Sequence, residues 1–505
     1  MRKTALLSTG EPEKIIDQCR KLVNLGWRLI ATRETVAVMQ KENIPVEDVQ
    51  DFTGVGYEYG IPPTLHPKIE QALTEDCEDA IDLVYDVPYP LTQGNDVGGR
   101  TLLGLGVKGR RLVINEYSDL ERVVELLEQD SPLLDDIRDE LMAKASFEIA
   151  GHYLALTKQN SEKYDGLLGQ HKAVCKEGEN PYQVPCDLFT FDAEEPMGIA
   201  QFTQLSGDKP CFTNTADMDS IIITIEKLKQ AFSLNFNKLP YIVVAAKHGN
   251  PCGIGVDWES KDRAIDKALW GNPQAIWGGE VISNFDIDNK LAQMLFKSPG
   301  RERLYGSADW MLDVIMTPRF SKEAVSILGK RKQSKLLSNP AVGETSSPTD
   351  KWHYRFAGGG FLREPPADYI LKLDDLNWTD SVPNDTDSLL IAWATSYTSF
   401  HGGNEVAIAK DSMLIGVGGG PSTVMAAQHA VQWTKTCNHE TKGAAFCADA
   451  FFPFTDAPEI LVSAGCKEGV VPAGGKNQEV VHKYFADNSI RVGFIPEQYR
   501  GFCRH

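Results

Sequence analysis

YIVVAAKHGNPCG, residues 241–253, is the stretch that does most to decide the fold. Its first six residues form a continuous apolar run, which is typical of a buried strand in an α/β protein. The strand leads into a turn rich in Gly and Pro, where α/β proteins display chemical groups. His248 offers a base that titrates near neutral pH, and Lys247 offers a cationic donor. Although a Lys-His dipeptide is usually plain surface, this setting predicts a catalytic pair.

Around this stretch the chain alternates strand and helix patterns. The first 125 or so residues read KTALLS, PEKIIDQCRKLVNLG, WRLIAT, ETVAVMQKENI, IDLVYDV and RRLVINE, which predicts a parallel sheet with helices on its faces. Two helices that break near Ser131-Pro132 are predicted next, as a connector over 126–165. Residues 166–337 and 338–505 predict two further α/β subdomains, because 338–351 is the most loop-like stretch. No internal repeat is visible, although two similar halves can escape detection in a single sequence.

Composition argues against nucleic-acid-binding, membrane and zinc-ribbon proteins. The 505 residues predict roughly three folding units. The formal net charge of -19 repels phosphodiester backbones and anionic lipid, so we expect neither nucleic acid nor a membrane as partner. The 10 cysteines contain no CxxC pair, which predicts reduced thiols and no zinc ribbon. Without a signal-peptide pattern or an apolar run near the roughly 20 residues of a membrane span, we expect a cytoplasmic protein.

Two glycine motifs invite a nucleotide-binding interpretation. Residues 104–109 match GxGxxG, but the segment that follows predicts a strand where a dinucleotide site needs a helix. Residues 417–423, VGGGPST, lie between a predicted strand and a helix that Ser422 or Thr423 could cap. Backbone N–H groups there could hold an anion or a polar ring. A tight turn that needs positive φ is an equally good interpretation.

A third motif is rich in aromatic residues. DAFFPFTD, residues 449–456, places three Phe residues beside two carboxylates. Three Phe residues close together more often belong to a hydrophobic core than to a binding site. Around a proline they can instead form a flat apolar slot, with Asp456 free to bond a heteroaromatic ring.

These motifs together resemble AICAR transformylase, the larger half of the bifunctional purine-biosynthesis protein. KHGNPCG is similar to the family signature KHxNPCG. The other matches follow in the same order: KEGENPYQ (176–183) to RYGENPHQ, Asn214 and Asp217 to NNIAD, NP and WGG (272–279) to DPxSAFGG, LDVIMTPRFSKEAVSIL (312–328) to EVIIAPxF and AxxIL, GNEVAIAKDSMLIGVGGG (403–420) to SNAIVLAKDGxxxGIGAG, DAFFPFTD to DAFFPFRD, and YRGFCRH (499–505) to an RHFRH-type ending.

The resemblance implies a fold and a reaction. It implies two cytidine-deaminase-like α/β subdomains without catalytic zinc, and a homodimer with active sites at the subunit interface. The implied reaction transfers formyl from 10-formyltetrahydrofolate to the 5-amino group of AICAR, with the need for a monovalent cation left open. His248 would be the base, Lys247 would serve the leaving nitrogen, and Asn404 would hold the formyl oxygen. The remaining implied contacts are Lys176, Asn214, Gly279 and Arg500 for substrate, and Ser422, Thr423, Phe451, Phe454 and Asp456 for folate.

The N-terminal region resembles the methylglyoxal-synthase-like fold of IMP cyclohydrolase. The family's phosphate loop SGGT is Thr32-Arg33-Glu34-Thr35 here. In the segment matching GGRVKTLHP, Ile61 replaces the arginine and Pro63 the catalytic lysine. Tyr89, Asp96 and Lys108 match the family. We therefore expect this domain to have lost cyclohydrolase activity.

The transformylase half also departs from the family. Lys176-Glu177 replaces Arg-Tyr, Tyr182 replaces the His of ENPHQ, and 418–423 lacks the arginine of GAGQxSR. Lysine keeps the charge but loses the bidentate grip of arginine on phosphate. Two alternatives therefore stay open: a formyltransferase that acts on another aromatic amine, and a catalytically silent paralogue that binds folate or nucleotide.

Overall fold

The computed structural model describes residues 2–57, 62–191, 195–298, 302, 311–345, 352–401 and 403–503. These residues form an α/β protein, as the sequence predicts. The chain divides into two compact units, Met1–Leu168 and Gly169–His505. Each unit has its own sheet and its own cores.

A parallel sheet lies at the centre of the N-terminal unit. Its strands are β1 (Thr4–Thr9), β2 (Arg28–Ala31), β3 (Glu47–Asp48), β4 (Leu83–Val87) and β5 (Leu112–Ile114). They are ordered β3-β2-β1-β4-β5, and every neighbouring pair is parallel. β1, β4 and β5 are almost wholly buried because a hydrophobic core covers each face of the sheet. The predicted parallel sheet is confirmed.

Helices cover both faces of this sheet. They are α1 (Ile16–Asn24), α2 (Arg33–Lys41), α3 (Val49–Thr53), α4 (Pro67–Thr74), α5 (Val97–Lys108), α6 (Tyr117–Glu128) and α7 (Leu133–Asn160). The predicted break near Ser131-Pro132 separates α6 from α7. The GxGxxG match lies within and just after α5, where a Cβ on Gly106 would come 2.8 Å from the Val113 side chain. Gly106 therefore lets α5 pack closely on β5.

The C-terminal unit contains one mixed sheet and two separate hairpins. The sheet strands are β8 (Thr203–Ser206), β9 (Tyr241–Lys247), β10 (Asn250–Asp257), β11 (Gly279–Ser283), β12 (Leu312–Thr317), β13 (Lys335–Ser338), β16 (Asn377–Trp378), β17 (Asn404–Lys410), β18 (Met413–Gly420), β19 (Ala445–Ala448), β20 (Glu468–Pro472) and β21 (Arg491–Ile495). The order is β16-β21-β20-β19-β17-β18-β10-β9-β11-β12-β13-β8. The hairpins are β6 (Gln170–Val174) with β7 (Asp187–Thr190), and β14 (His353–Ala357) with β15 (Gly360–Glu364).

Helices pack on both faces of the mixed sheet. They are α8 (Phe212–Phe236), α9 (Lys261–Trp270), α10 (Asn289–Phe296), α11 (Lys322–Leu328), α12 (Thr386–Thr398), α13 (Thr423–Thr436), α14 (Asp456–Ala464) and α15 (Gln478–Asp487). α8 and α12 share a core with one face, to which β9 contributes alternate residues such as Ile242 and Val244. The intervening residues, such as Val243, enter the core on the other face. This alternation is the two-residue period of a strand.

The mixed sheet consists of two halves with the same order of elements. The series α8-β9-β10-α9-β11 recurs as α12-β17-β18-α13-β19. In each half, the turn between the two long strands has two left-handed residues. In the β9–β10 turn φ is 53° at His248 and 72° at Gly249, and in the β17–β18 turn it is 53° at Asp411 and 59° at Ser412. β10 and β18 join the halves in antiparallel fashion. The structure thus contains an internal repeat that the sequence does not display.

The glycine run after Val417 is not a loop. Gly418, Gly419 and Gly420 belong to β18 and none has positive φ, so the tight-turn interpretation is wrong. A Cβ on Gly418 would lie 2.3 Å from the Ala430 nitrogen, because α13 rests directly on the strand. Ser422 caps α13 by accepting a hydrogen bond from the Met425 N–H, as predicted. Of the loop-like stretch 338–351, residues 346–351 lie outside the described residues.

Candidate functional site

The turn between β9 and β10 displays the predicted catalytic pair. Lys247 ends β9, and His248 is exposed in the turn. The left-handed φ of His248 costs roughly 1 kcal/mol for a residue other than Gly, so the surrounding contacts must hold the turn. Asn250 does so in part, since its Nδ2 donates to the His248 carbonyl at 3.1 Å. We call the end of the sheet at this turn the His248 edge.

Lys247 reaches the start of β11. Its ammonium donates a hydrogen bond to the Gly278 carbonyl. β11 runs antiparallel to β9, which places Gly279 at the His248 edge beside the end of β9. A Cβ on Gly279 would come 2.5 Å from the Ala246 carbonyl oxygen, so the close approach of the two strands requires glycine there. The predicted residues Lys247, His248 and Gly279 are therefore neighbours.

α8 supports the turn from one face of the sheet. Asp217 interacts with the backbone N–H of His248 and with the Glu280 carboxyl group. The Asn214 side chain donates to Glu280 Oε1 at 3.3 Å. Asn214, Asp217 and Glu280 are all buried. Asn214 thus acts within a network of side chains below the turn.

Glu280 is a neutral acid in this network. Burial, followed by the repulsion of the Asp217 carboxylate, raises the pKa of Glu280 to about 9. Burial also raises the pKa of Asp217, against the attraction of His248 and Lys247. At neutral pH the Glu280 side chain therefore carries its proton.

Asn404 reaches the same edge from the other half of the sheet. Because β10 and β18 are antiparallel, the end of β18 at Gly420 and the start of β10 at Asn250 lie at the same edge. The Asn404 side chain donates to the Gly420 carbonyl at 3.4 Å. Four residues earlier, the Phe400 N–H donates to Asn250 Oδ1 at 2.6 Å, which ties the β9–β10 turn to the segment leading into Asn404.

The residues implied in folate binding follow strand ends at the same edge. Ser422 and Thr423 follow β18, and the aromatic segment follows β19, which pairs with β17 beside Asn404. Phe451 contacts Gly475, whereas Phe454 and Asp456 are exposed. About four strand spacings of 4.8 Å separate β9 from β19, so the aromatic segment stands roughly 19 Å from the His248 turn.

The remaining predicted substrate contacts, Arg500 and Lys176, lie on either side of the residues described above. Arg500 is exposed after β21, and its side chain lies near Gly474 together with Phe451. Lys176 is exposed beside the start of α8, where its N–H donates to the Pro210 carbonyl at 2.9 Å. In the described structure the predicted residues therefore lie along the His248 edge, but they do not all line one pocket.

A cavity of about 420 Å³ opens beside His248. Its lining combines Asp217 and Ser220 of α8, the 248–250 turn and Phe400. His353, Tyr354 and Arg355 of the β14–β15 hairpin complete it. The cavity offers an imidazole, acidic groups and an aromatic ring to a ligand of modest size.

Sequence reasoning missed two groups at this edge. Glu280 is the one ionisable residue of the wholly buried strand β11, which is the one signal that could have marked it. His401 and the buried Glu405 form a pair, with His401 Nδ1 3.1 Å from Glu405 Oε2. Their spacing of four residues gives no clue, because Glu405 lies in the strand β17 and not in a helix.

The N-terminal unit holds the residues that the cyclohydrolase resemblance singles out. Arg33 stacks on the Tyr57 ring at 4.0 Å, in the segment where the family has its phosphate loop. Asp96 caps α5, accepting from the Gly99 N–H at 2.8 Å and the Tyr89 N–H at 3.1 Å. Lys108 ends that helix about 18 Å away, paired with Glu70. Ile61 lies outside the described residues, and Pro63 is half-buried.

The described residues contain neither a membrane-spanning helix nor a metal-binding cluster. No helix there is both long and apolar enough to cross a membrane. No group of three or more His, Cys, Asp or Glu side chains in the same ranges is arranged to hold a metal ion.

Known proteins resemble this chain over most of its length. A family model described as AICARFT/IMPCHase bienzyme matches residues 109–433. A bifunctional purine biosynthesis protein PurH from Streptococcus uberis is 28% identical, over 95% of this chain and 96% of the relative. PurH from Streptococcus equi subsp. equi is 28% identical, over 94% and 95%. A structure titled crystal structure of ForH is 27% identical, covers 31% of this chain and 96% of its own, and has a TM-score of 0.28.

Proposed function

The chain belongs to the AICARFT/IMPCHase bienzyme family, and from this membership we propose that it is an AICAR formyltransferase of purine biosynthesis. The observation that carries the proposal is the His248 edge. Lys247 ends β9 there and His248 follows it, and Asn404 begins β17 of the other half of the sheet at the same edge. A base, a cationic donor and an amide are the groups that formyl transfer to an amine requires.

The proposed reaction moves one formyl group between two nitrogens. The formyl carbon leaves N10 of 10-formyltetrahydrofolate and forms a bond with the 5-amino nitrogen of AICAR. That amine is a poor nucleophile, because its lone pair delocalises toward the carboxamide, so it must lose a proton during attack. His248 accepts that proton, Lys247 provides one to the departing folate nitrogen, and the Asn404 amide stabilises the formyl oxygen.

The distance across the edge is the reason to propose a homodimer. Within one chain, the segment of Phe451, Phe454 and Asp456 is too far from the His248 turn to share one small-molecule site. Large apolar side chains such as Tyr182 (81% exposed) and Phe356 (80%) stand out on the same unit. The β6–β7 hairpin also exposes Val174 and Phe189, and an isolated two-stranded hairpin is only marginally stable. A second copy would cover this surface and supply the missing half of each site.

For the N-terminal unit we propose a structural role without IMP cyclohydrolase activity. Pro63 brings neither charge nor a backbone donor to the position of the family's lysine. Glu34 adds an exposed carboxylate to the segment that should receive a phosphate. Lys108 lies at the far end of α5 from Asp96, and so does not replace the missing lysine.

One observation favours a second candidate, formyl transfer to a different aromatic amine. Lys176 is the only cation in 176–183, and 418–423 contains none. A nucleotide phosphate would then lack the bidentate arginine grip in both segments.

A single assay tests the function. The purified protein is given 10-formyltetrahydrofolate and AICAR, and tetrahydrofolate release is followed optically. We expect release that depends on both AICAR and protein. Release with another aromatic amine but not with AICAR would favour the second candidate. No release with any amine would favour the silent paralogue.

A further inference from the structure

The carboxyl group of Glu280 lies below the catalytic turn without an assigned role. It is 1% exposed, and its Oε1 accepts from the Asn214 side chain. Its Oε2 accepts from no N–H or hydroxyl donor within the described ranges, and the carboxyl group faces that of Asp217. The charged group that acts on it most strongly is Asp217, which itself contacts the His248 backbone. A line of contacts therefore runs from Asn214 through Glu280 and Asp217 to the turn.

The second half of the sheet serves as an internal comparison. There the left-handed turn is held by the preceding helix: the Asp411 N–H donates to Asp385 at 3.2 Å, and the Ser412 N–H donates to Ser388 at 3.1 Å. Asp217 of α8 is the matching support for the His248 turn. Both turns thus have an acidic side chain of the preceding helix below them.

The next strand differs between the halves. Glu280 pairs with Ala246, the residue before Lys247. In the second half Ala445 pairs with Ala409, the residue before Lys410. Ala445 therefore occupies the position of Glu280, and the second turn is left-handed as well. A buried carboxylate near Asp385 comes there from Glu468 on β20, beside Ala445, and it pairs with Arg491. The second turn therefore forms near a carboxylate that an arginine neutralises, whereas the Glu280 carboxyl group faces Asp217 and Lys247 below the His248 turn. This difference calls for an explanation.

We propose that Glu280 is a positioning residue for the formyl-transfer reaction, which keeps the Asp217 carboxylate in place below the His248 turn and holds the pair at one negative charge. The inference rests on the proposed function. As a neutral acid, Glu280 is oriented by Asn214 and presents its O–H toward Asp217. With one proton, the pair balances the Lys247 ammonium. Two ionised carboxylates would repel each other and displace the turn.

The titratable groups that face Glu280 come from three elements. They are Asp217 on α8, Lys247 on β9 and Cys252 on β10. Asp217 disfavours ionisation of Glu280, Lys247 favours it, and burial outweighs the lysine. Loss of the shared proton at alkaline pH should therefore loosen the turn and lower turnover.

Two variants test the role through activity. Glu280→Ala removes the carboxyl group and should lower kcat about 10- to 100-fold with little change in KM, because a displaced His248 affects the reaction more than binding. Glu280→Gln keeps a neutral donor and should retain kcat at pH 7, and it should lack the alkaline fall near pH 9 that we expect of the wild type. Glu468→Gln, at a buried glutamate on β20 that pairs with Arg491, is the matched control for loss of a buried carboxylate. It should lower stability but leave the kcat of the folded protein unchanged. A folded Glu280→Ala with wild-type kcat, or a Glu280→Gln as impaired as Glu280→Ala, would overturn the proposal.

A readout without substrate keeps the inference separate from the proposed function. In the wild type at pH 7, infrared spectra should show a protonated carboxyl band that Glu280→Gln lacks. The NMR signals of the His248 imidazole should shift as the pH passes about 9 in the wild type but not in Glu280→Gln. Absence of the band, or an imidazole that ignores the titration, would refute the inference even if formyl transfer were established. If the protein transferred no formyl group, the infrared spectrum would still report the protonation of Glu280, and the NMR spectrum would still report its effect on His248.

Discussion

His248 stands at a position that the chain repeats elsewhere without an imidazole. Asp411 has the same left-handed φ in the equivalent turn of the second half, at the opposite end of the sheet. A comparison of the two turns therefore distinguishes the effect of the imidazole from the effect of the left-handed backbone. Removing the side chain at both positions carries the same backbone cost, since alanine must adopt positive φ in each case.

We predict that His248→Ala lowers the rate of formyl transfer at least about a hundredfold, because removal of a proton by a positioned base is worth roughly 10²–10⁴. Asp411→Ala is the matched control, and it should keep most of the wild-type turnover. Turnover is measured with saturating substrates after circular dichroism has shown that both variants fold. Equal turnover in the two variants would remove His248 from the mechanism.

Asp86 gives the N-terminal unit a pH-dependent stability. It is buried at the end of β4, and burial, reinforced by the nearby Asp96, raises the pKa of Asp86 from 3.8 to about 7. Between these values the unfolded chain has released the proton and the folded chain has kept it. Folding stability therefore falls as the pH rises through this window.

We predict that Asp86→Asn removes this dependence. The free energy of unfolding of the wild type should decline between pH 3.8 and about 7 relative to the variant, by up to about 1.4 kcal/mol per pH unit, and the difference should then stay constant. Urea unfolding at a series of pH values measures both proteins. Parallel curves over this window would contradict the raised pKa.

At the scale of elements, the N-terminal strands and helices were accessible to sequence reasoning because their hydrophobic periods are local. The break between α6 and α7 is likewise marked by Ser131-Pro132. The Gly418–Gly420 run was misread because composition alone suggests a turn. What requires glycine there is the approach of α13, whose contact with β18 no short stretch of sequence reveals.

We predict that Gly418→Ala destabilises the C-terminal unit by about 1–3 kcal/mol, since the added Cβ meets the backbone of α13 and not a flexible side chain. Gly360→Ala is the control, because a Cβ on Gly360 meets nothing within 4 Å. The midpoint of urea unfolding compares the two variants. Equal midpoints would show that α13 can shift at no cost.

At the scale of the whole molecule, the lysine-histidine pair and the α/β class could be read from the sequence, whereas Glu280 and the repeat could not. A motif such as KHGNPCG carries its chemistry within a few residues. Glu280 gains its place only through the register of β11 with β9 and the packing of α8. The two halves share an order of elements and two turns, and these appear only once strands distant in sequence have paired.

We predict that the full protein forms IMP from formyl-AICAR no faster than a buffer control, since Pro63 and Glu34 leave the N-terminal unit without the lysine and the phosphate loop of the family. Pro63→Lys alone should not restore activity, because the Glu34 carboxylate would still repel a phosphate. Chromatography of the products measures both proteins. IMP formation that depends on the protein and persists in His248→Ala would show that the N-terminal unit is active.

The junction of β10 with β18 has a consequence for how the protein folds. Gly255 and Met413 meet there, although a long stretch of chain separates them. Every other strand pair of the mixed sheet except β13–β8 and β16–β21 joins strands that are near neighbours in sequence. Closing so large a loop is slow, because its entropy is lost before the contact repays it. Each half can therefore collapse on its own hairpin first, and docking of the two halves comes late and completes the edge along which His248 and Asn404 both lie.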